Sequence, residues 1–289
     1  MSLHARGWSR RSAWILAALC AASVVAFHHA WMDLFRHGID RPESRYILWV
    51  PACAAFLFWC RRSRLPAVRC RPSLWGPLTV AAASALASYS EAIDLRVGIH
   101  LAAVLALLGS VLTMTGLEAI RQFGPVFLAL LLIVPMPGSV RQEISRPMQD
   151  AAVVLTQATL DLIGVSALRD GSLLVIRGTP VAVGEACDGM RMALALGLTV
   201  FTFVFSMPLR WGARLFLVLI SPLVAVVCNV IRLVPSSIAF GFAEESTAVR
   251  VHEIFGWMML AVAVVAMFLT LRLVRWLDLP VTRWRLLGT

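Results

Sequence analysis

Eight apolar runs, each long enough or nearly long enough to cross a bilayer, dominate this chain of 289 residues and leave room for little else. They fall near 13–29, 46–60, 75–90, 99–117, 123–136, 189–207, 213–238 and 253–276. Roughly 20 apolar residues cover the ~30 Å of hydrocarbon in a bilayer; the second and fifth runs fall short of that and admit a shallow or re-entrant element. Hydrophobic residues make up 60% of the chain and charged ones 15%, which is more apolar surface than a soluble core can bury. The expected fold class is an all-α integral membrane protein with about eight transmembrane helices. The first run follows MSLHARGWSRR and continues to Phe27 without an A-x-A cleavage site, so it reads as a retained span and not as a cleaved signal.

Arginine placement sets the direction of these spans. All 26 basic residues are arginines, grouped between the apolar runs. With the N-terminus in the cytoplasm, fifteen of them lie on that side, led by Arg61, Arg62, Arg64, Arg69 and Arg71, against nine spread over more residues outside. Of the sixteen acidic residues only Glu118 and Asp278 join the cytoplasmic side. Positive charge retained on short inner loops favours this orientation and places both termini in the cytoplasm. The net charge of +10 is thereby topological, and no nucleic-acid partner is expected, because no continuous basic groove is available to follow phosphates.

Residues 139–187 break the pattern and fall outside the membrane. After Arg146-Pro147, the stretch MQDAAVVLTQATLDLIGV repeats apolar positions at helical spacing, as a helix in the membrane interface would. Ser172–Arg177 and Val181–Val183 are β-prone runs separated by Gly178-Thr-Pro180, and they read as a small hairpin. Such a hairpin offers an edge to an extended peptide. The chain then divides into a four-span region over 1–122, a region over 123–276 that holds this insertion with the last four spans, and a cytoplasmic tail over 277–289.

Chemistry concentrates around the insertion. Cys187 lies in GEACDGMRMALALG where the sixth span begins, and a thiol facing the first turn of a helix meets unsatisfied N–H groups that favour the thiolate. Arg191, four residues on, shares its face, whereas Asp188 opposes the thiolate unless it caps the helix or pairs with Arg191. Arg232 stands inside the apolar stretch PLVAVVCNVIRLVPSSIAF, where a guanidinium must face the bundle interior. Asn229 lies one turn earlier, and Pro235, three residues later, is expected to kink or end the helix. His252 opens the eighth span on the outer side, with an imidazole suited to general acid–base work. The remaining cysteines are scattered without a CxxC pair, and His28, His29 and His37 lack clustered acidic or thiol partners. Neither metal nor cofactor is expected.

Ala186-Cys187-Asp188-Gly189, Asn229-Val-Ile-Arg232 and His252 follow one another as the A-C-S-G-like motif, N-x-x-R motif and later histidine of the exosortase/archaeosortase family do. Pro135-Met-Pro137 and Pro147-Met-Gln149 also resemble that family, so the likeness runs over about 120–270. It implies a membrane cysteine protease or transpeptidase in the cytoplasmic membrane of a prokaryote. Its partners would be exported proteins that end in a sorting motif, an apolar helix and a basic tail. The resemblance makes Cys187, Arg232 and His252 catalytic, with Arg191, Asn229 and Asp188 in support, and Asp188 stands where the family carries serine. The alternative is a non-enzymatic scaffold or transporter component of a surface-polymer export system.

Overall fold

The computed structural model of the chain describes residues 9–182 and 190–276. The chain forms two compact units, Met1–Pro137 and Gly138–Thr289. In the first, α1 (Arg10–Ala26) and α2 (His28–Asp40) meet at a 72° bend. A 3-10 turn over Pro42–Trp49 leads into α3 (Val50–Cys60), and a second over Arg62–Ala67 precedes α4 (Trp75–Ala92), α5 (Arg96–Thr115) and α6 (Leu117–Leu131). Buried Ala102, Ala103, Val104 and Ala106 make α5 the core of this unit. Small residues allow that close approach: a Cβ added to Gly76 of α4 would collide with the backbone of Thr113 on α5.

Each apolar run of the sequence is mostly helical among the described residues, although the fifth leaves its helix after Leu131. By length and composition, however, only α5 and the later helix Trp211–Phe242 qualify alone as spans among the described residues, and the bent α1–α2 pair supplies a third. Helices of 11 residues (α3) and 15 residues (α6) rise only about 1.5 Å per residue and fall short of the hydrocarbon thickness. The protein is thus mostly helical, as expected, with a small sheet in its second unit.

That unit starts with α7 (Gly138–Leu162), which continues through Pro147. Three antiparallel strands follow in the order β1 (Ala167–Asp170), β2 (Leu173–Ile176) and β3 (Thr179–Ala182). The expected hairpin is β2–β3, but its turn is Arg177-Gly178, with Ile176 paired to Thr179 and φ of 53° and 83° at the two turn residues. A two-residue turn with both φ positive matches the twist of the flanking strands, so Thr179 and Pro180 pass into β3. Strand β1 is a surplus over the sequence reading; its four residues, two of them charged, carry no alternating pattern.

Three helices complete the unit: α8 (Met190–Ser206), α9 (Trp211–Phe242) and α10 (Glu245–Trp276). Pro235 does not end α9, which runs another two turns to Phe242. Its ring removes the rung to the Ile231 carbonyl; at the next rung the Ser236 hydroxyl donates to the Arg232 carbonyl at 2.8 Å. The inner face of the sheet, with Ala167, Leu174, Ile176 and Val181, packs on Ala152, Val153 and Leu160 of α7 and Leu233 of α9.

The sheet reaches the end of α9 through a glycine. A Cβ on Gly241 would stand 2.6 Å from Cγ2 of Ile176. Gly241→Val should therefore overpack the contact by about 1–3 kcal/mol and lift the hairpin, which speeds limited proteolysis within 171–180 of the detergent-solubilised protein. Gly197→Ala, whose Cβ meets nothing within 4 Å, should leave the digestion rate unchanged.

Candidate active site

Helices α8, α9 and α10 pack together around Met192, Leu196, Val200, Leu217, Ala225 and Cys228, with Phe255 and Val262 against them. Such mutual packing brings the polar residues of three helices to one place. Arg232 is buried, 8% exposed, on the inward face of α9, and Asn229, three residues earlier and 1% exposed, lies on the same face. Arg191 is half-buried in the first turn of α8, and His252 is half-buried two turns into α10.

The Arg232 side chain extends from α9 toward α10. Its Nη1 lies 4.0 Å from where a Cβ on Gly256 would stand. Gly256 follows His252 by four residues, one helical turn along the same face, so the guanidinium occupies space that a larger side chain on α10 would contest. His252 in turn contacts the last turn of α9, its ring centroid 6.4 Å from that of Phe240.

Charge links these groups. Burial pushes the His252 imidazole below its ordinary value of 6.5, and the Arg232 and Arg191 guanidinia push it further down, against the opposing pull of Glu253. Both desolvation and nearby positive charge disfavour a second cation. The imidazole is consequently neutral under conditions where a free histidine begins to charge, the form that accepts a proton.

Of the residues singled out in the sequence, the structure brings Arg191 and Arg232 within electrostatic reach of His252, with Asn229 buried on the face of α9 that carries Arg232. Cys187 and Asp188 lie outside the described residues; in sequence Cys187 precedes the first residue of α8 by three positions. Cys20, Cys53, Cys60, Cys70 and Cys228 are not in disulfides. Two residues of the site, Gly256 and Phe240, escaped the sequence reading. The H-x-x-x-G spacing was a usable signal for Gly256, whereas nothing marks one phenylalanine among the fourteen.

A second polar pair lies in the first unit, where His100 of α5 and Asp33 of α2 meet at 2.8 Å. His100 is 3% exposed, and the pair straps α2 to α5. No group of three or more histidine, cysteine, aspartate or glutamate side chains suited to a metal occurs among the described residues.

Residues 31–269 match the family model described as transmembrane exosortase (Exosortase_EpsH), which is 239 of the 289 residues. No curated protein and no solved structure matches the chain.

The electrostatic arrangement has a measurable consequence. Modification of His252 by diethyl pyrocarbonate, which needs neutral imidazole, should hold its rate to below pH 6.5 before falling. Arg191→Met removes one repelling charge and should move the midpoint of that fall to higher pH; a midpoint that stays put or moves down would contradict the proximity of the two groups.

Proposed function

This chain belongs to the transmembrane exosortase family, and we propose that it is a membrane cysteine peptidase or transpeptidase acting on exported surface proteins. Its substrates would carry a C-terminal sorting motif, an apolar helix and a basic tail, and cleavage would take place at the outer face of the prokaryotic cytoplasmic membrane. The observation that carries this reading is the meeting of Arg191, Arg232 and His252, delivered by three separate helices, beside the start of the helix that Cys187 precedes in sequence. A scaffold has no need to bring a second guanidinium near a half-buried imidazole, since both groups lose hydration without a structural gain.

The chemistry follows from the roles of these groups. His252 removes the proton from the Cys187 thiol, and the sulfur attacks a backbone carbonyl carbon. The carbonyl electrons move onto oxygen, where the Arg232 guanidinium stabilises the developing negative charge. When the oxyanion collapses, the carbon–nitrogen bond breaks and the leaving amine takes the proton from the His252 imidazolium. A thioester on Cys187 remains, to be passed to water or to an acceptor amine or hydroxyl with His252 again accepting a proton. Arg191 raises the local positive potential, Asn229 supports Arg232, and Asp188 lies beside the nucleophile in sequence.

Topology supports a common side for these groups. Arg191 is in the first turn of α8, His252 near the start of α10 and Arg232 three turns from the end of α9. Consecutive spans run in opposite directions, so these positions share one face of the membrane. Eight spans, with the short helices α3, α6 and α8 placed shallowly or within a locally thinned bilayer, put both termini in the cytoplasm and this face outside.

Substitution tests the reading directly. Cys187→Ala should abolish processing, a loss of about 10³-fold or more, with full-length exported proteins bearing a motif, span and basic tail collecting in the membrane. Cys228→Ala, in the packed core of α9, should process them at about the normal rate. Normal processing by the Cys187→Ala protein removes the proposal.

A further inference from the structure

The three-stranded sheet has two edges, and they are not equivalent. Along a two-residue hairpin the closing pair is hydrogen-bonded and successive residues alternate between pointing at the partner strand and away from it. On β1, whose closing pair is Asp170 with Leu173, the outward residues are Ala167 and Arg169. Helix α7 lies against this edge: Gln157 donates to the Ala167 carbonyl at 3.0 Å, and the Arg169 side chain reaches Asp150 at 3.0 Å.

On β3 the closing pair is Ile176 with Thr179, so Thr179 and Val181 bond inward to β2 while Pro180 and Ala182 face outward. Pro180 has no N–H to offer, and a proline at an outward position is the usual mark of an edge strand. Three backbone groups remain on this edge: the Pro180 carbonyl and both the N–H and carbonyl of Ala182. No described residue is hydrogen-bonded to them.

We propose that this edge of β3 captures an extended stretch of the exported protein as a fourth strand, next to the bond that is cut. The inference rests on the peptidase reading above and names where such a peptide is held. Two observations select the occupant. First, Cys187 follows Ala182 by five residues in the sequence, and a chain of that length spans at most about 18 Å. Second, the hairpin is fixed to the same turn of α9 that touches His252. Arg177 in the turn stacks its guanidinium 4.8 Å over the Phe242 ring, Ile176 abuts Gly241, and Phe240 lies against His252. A strand held there gains backbone hydrogen bonds that do not depend on its side chains, and its outward residues remain available for recognition.

The alternation of the strand supplies the experiment. Ala182→Pro deletes one outward donor and leaves the β2–β3 ladder whole, whereas Val181→Pro breaks an inward bond to Leu174. The probe is the exported protein whose uncut form collects in cells carrying Cys187→Ala; if none collects, the peptidase reading fails, and this inference with it. With that protein in hand, Ala182→Pro should slow its processing at least about tenfold while the protease resistance of the hairpin stays at the wild-type level, and Ala182→Val should process within about twofold of wild type. A photocrosslinker replacing Pro180 should join the chain to the exported protein. Normal processing by Ala182→Pro, or crosslinks that join two copies of this chain instead, would overturn the strand while leaving the peptidase reading standing.

Discussion

A guanidinium buried in an apolar helix is the constraint around which the second unit is arranged. Placing arginine at the centre of a membrane helix costs about 2.5–3.5 kcal/mol on insertion scales, and α9 carries Arg232 among valine, leucine and isoleucine with 8% of it exposed. Such a residue is held only where the neighbouring helices give it room and polar company. Helix α10 faces it at Gly256, where a Cβ would stand 4.0 Å from Nη1. Asn229, on the face of α9 that Arg232 uses, gives polar company. His252 lies one helical turn from that glycine, and its lowered proton affinity follows first from burial and then from the charge beside it.

The last turn of α9 is the mechanical link between this group and the sheet. Successive residues on a helix project about 100° apart, so Phe240, Gly241 and Phe242 address three different neighbours: His252, Ile176 and Arg177. None of these contacts survives if α9 stops at Pro235. That the helix continues is a property of its surroundings: a missing rung in an apolar segment is tolerable where packed neighbours surround the gap, as the sheet residues packed on Leu233 do here.

Much of this was legible without coordinates, for identifiable reasons. Apolar runs mark helices because a helix is the way a lone segment satisfies its backbone in an apolar environment, and all eight runs became mostly helical. Arg232 and His252 stood out as polar residues where polarity is expensive. The hairpin announced itself through β-branched runs and glycine, but its register did not, because Gly178-Thr-Pro180 suggests a longer turn than the Arg177-Gly178 pair that forms. Strand β1 was invisible, because it is defined by what lies opposite it in space.

The sequence by itself determined the solvent and the elements. Sixty percent hydrophobic residues in long runs demand an apolar environment, and the patterns within them dictate helices, since those are local properties of spacing and composition. Tertiary structure alone decided that Arg191, Arg232 and His252 come within electrostatic reach of one another, which edge of the sheet α7 lies against, and which turn of α9 holds the hairpin. These depend on distances between segments about 10 to 65 residues apart in the chain. No local pattern encodes such distances; they are set when side chains of complementary volume, here Gly241 opposite Ile176, settle which faces can approach.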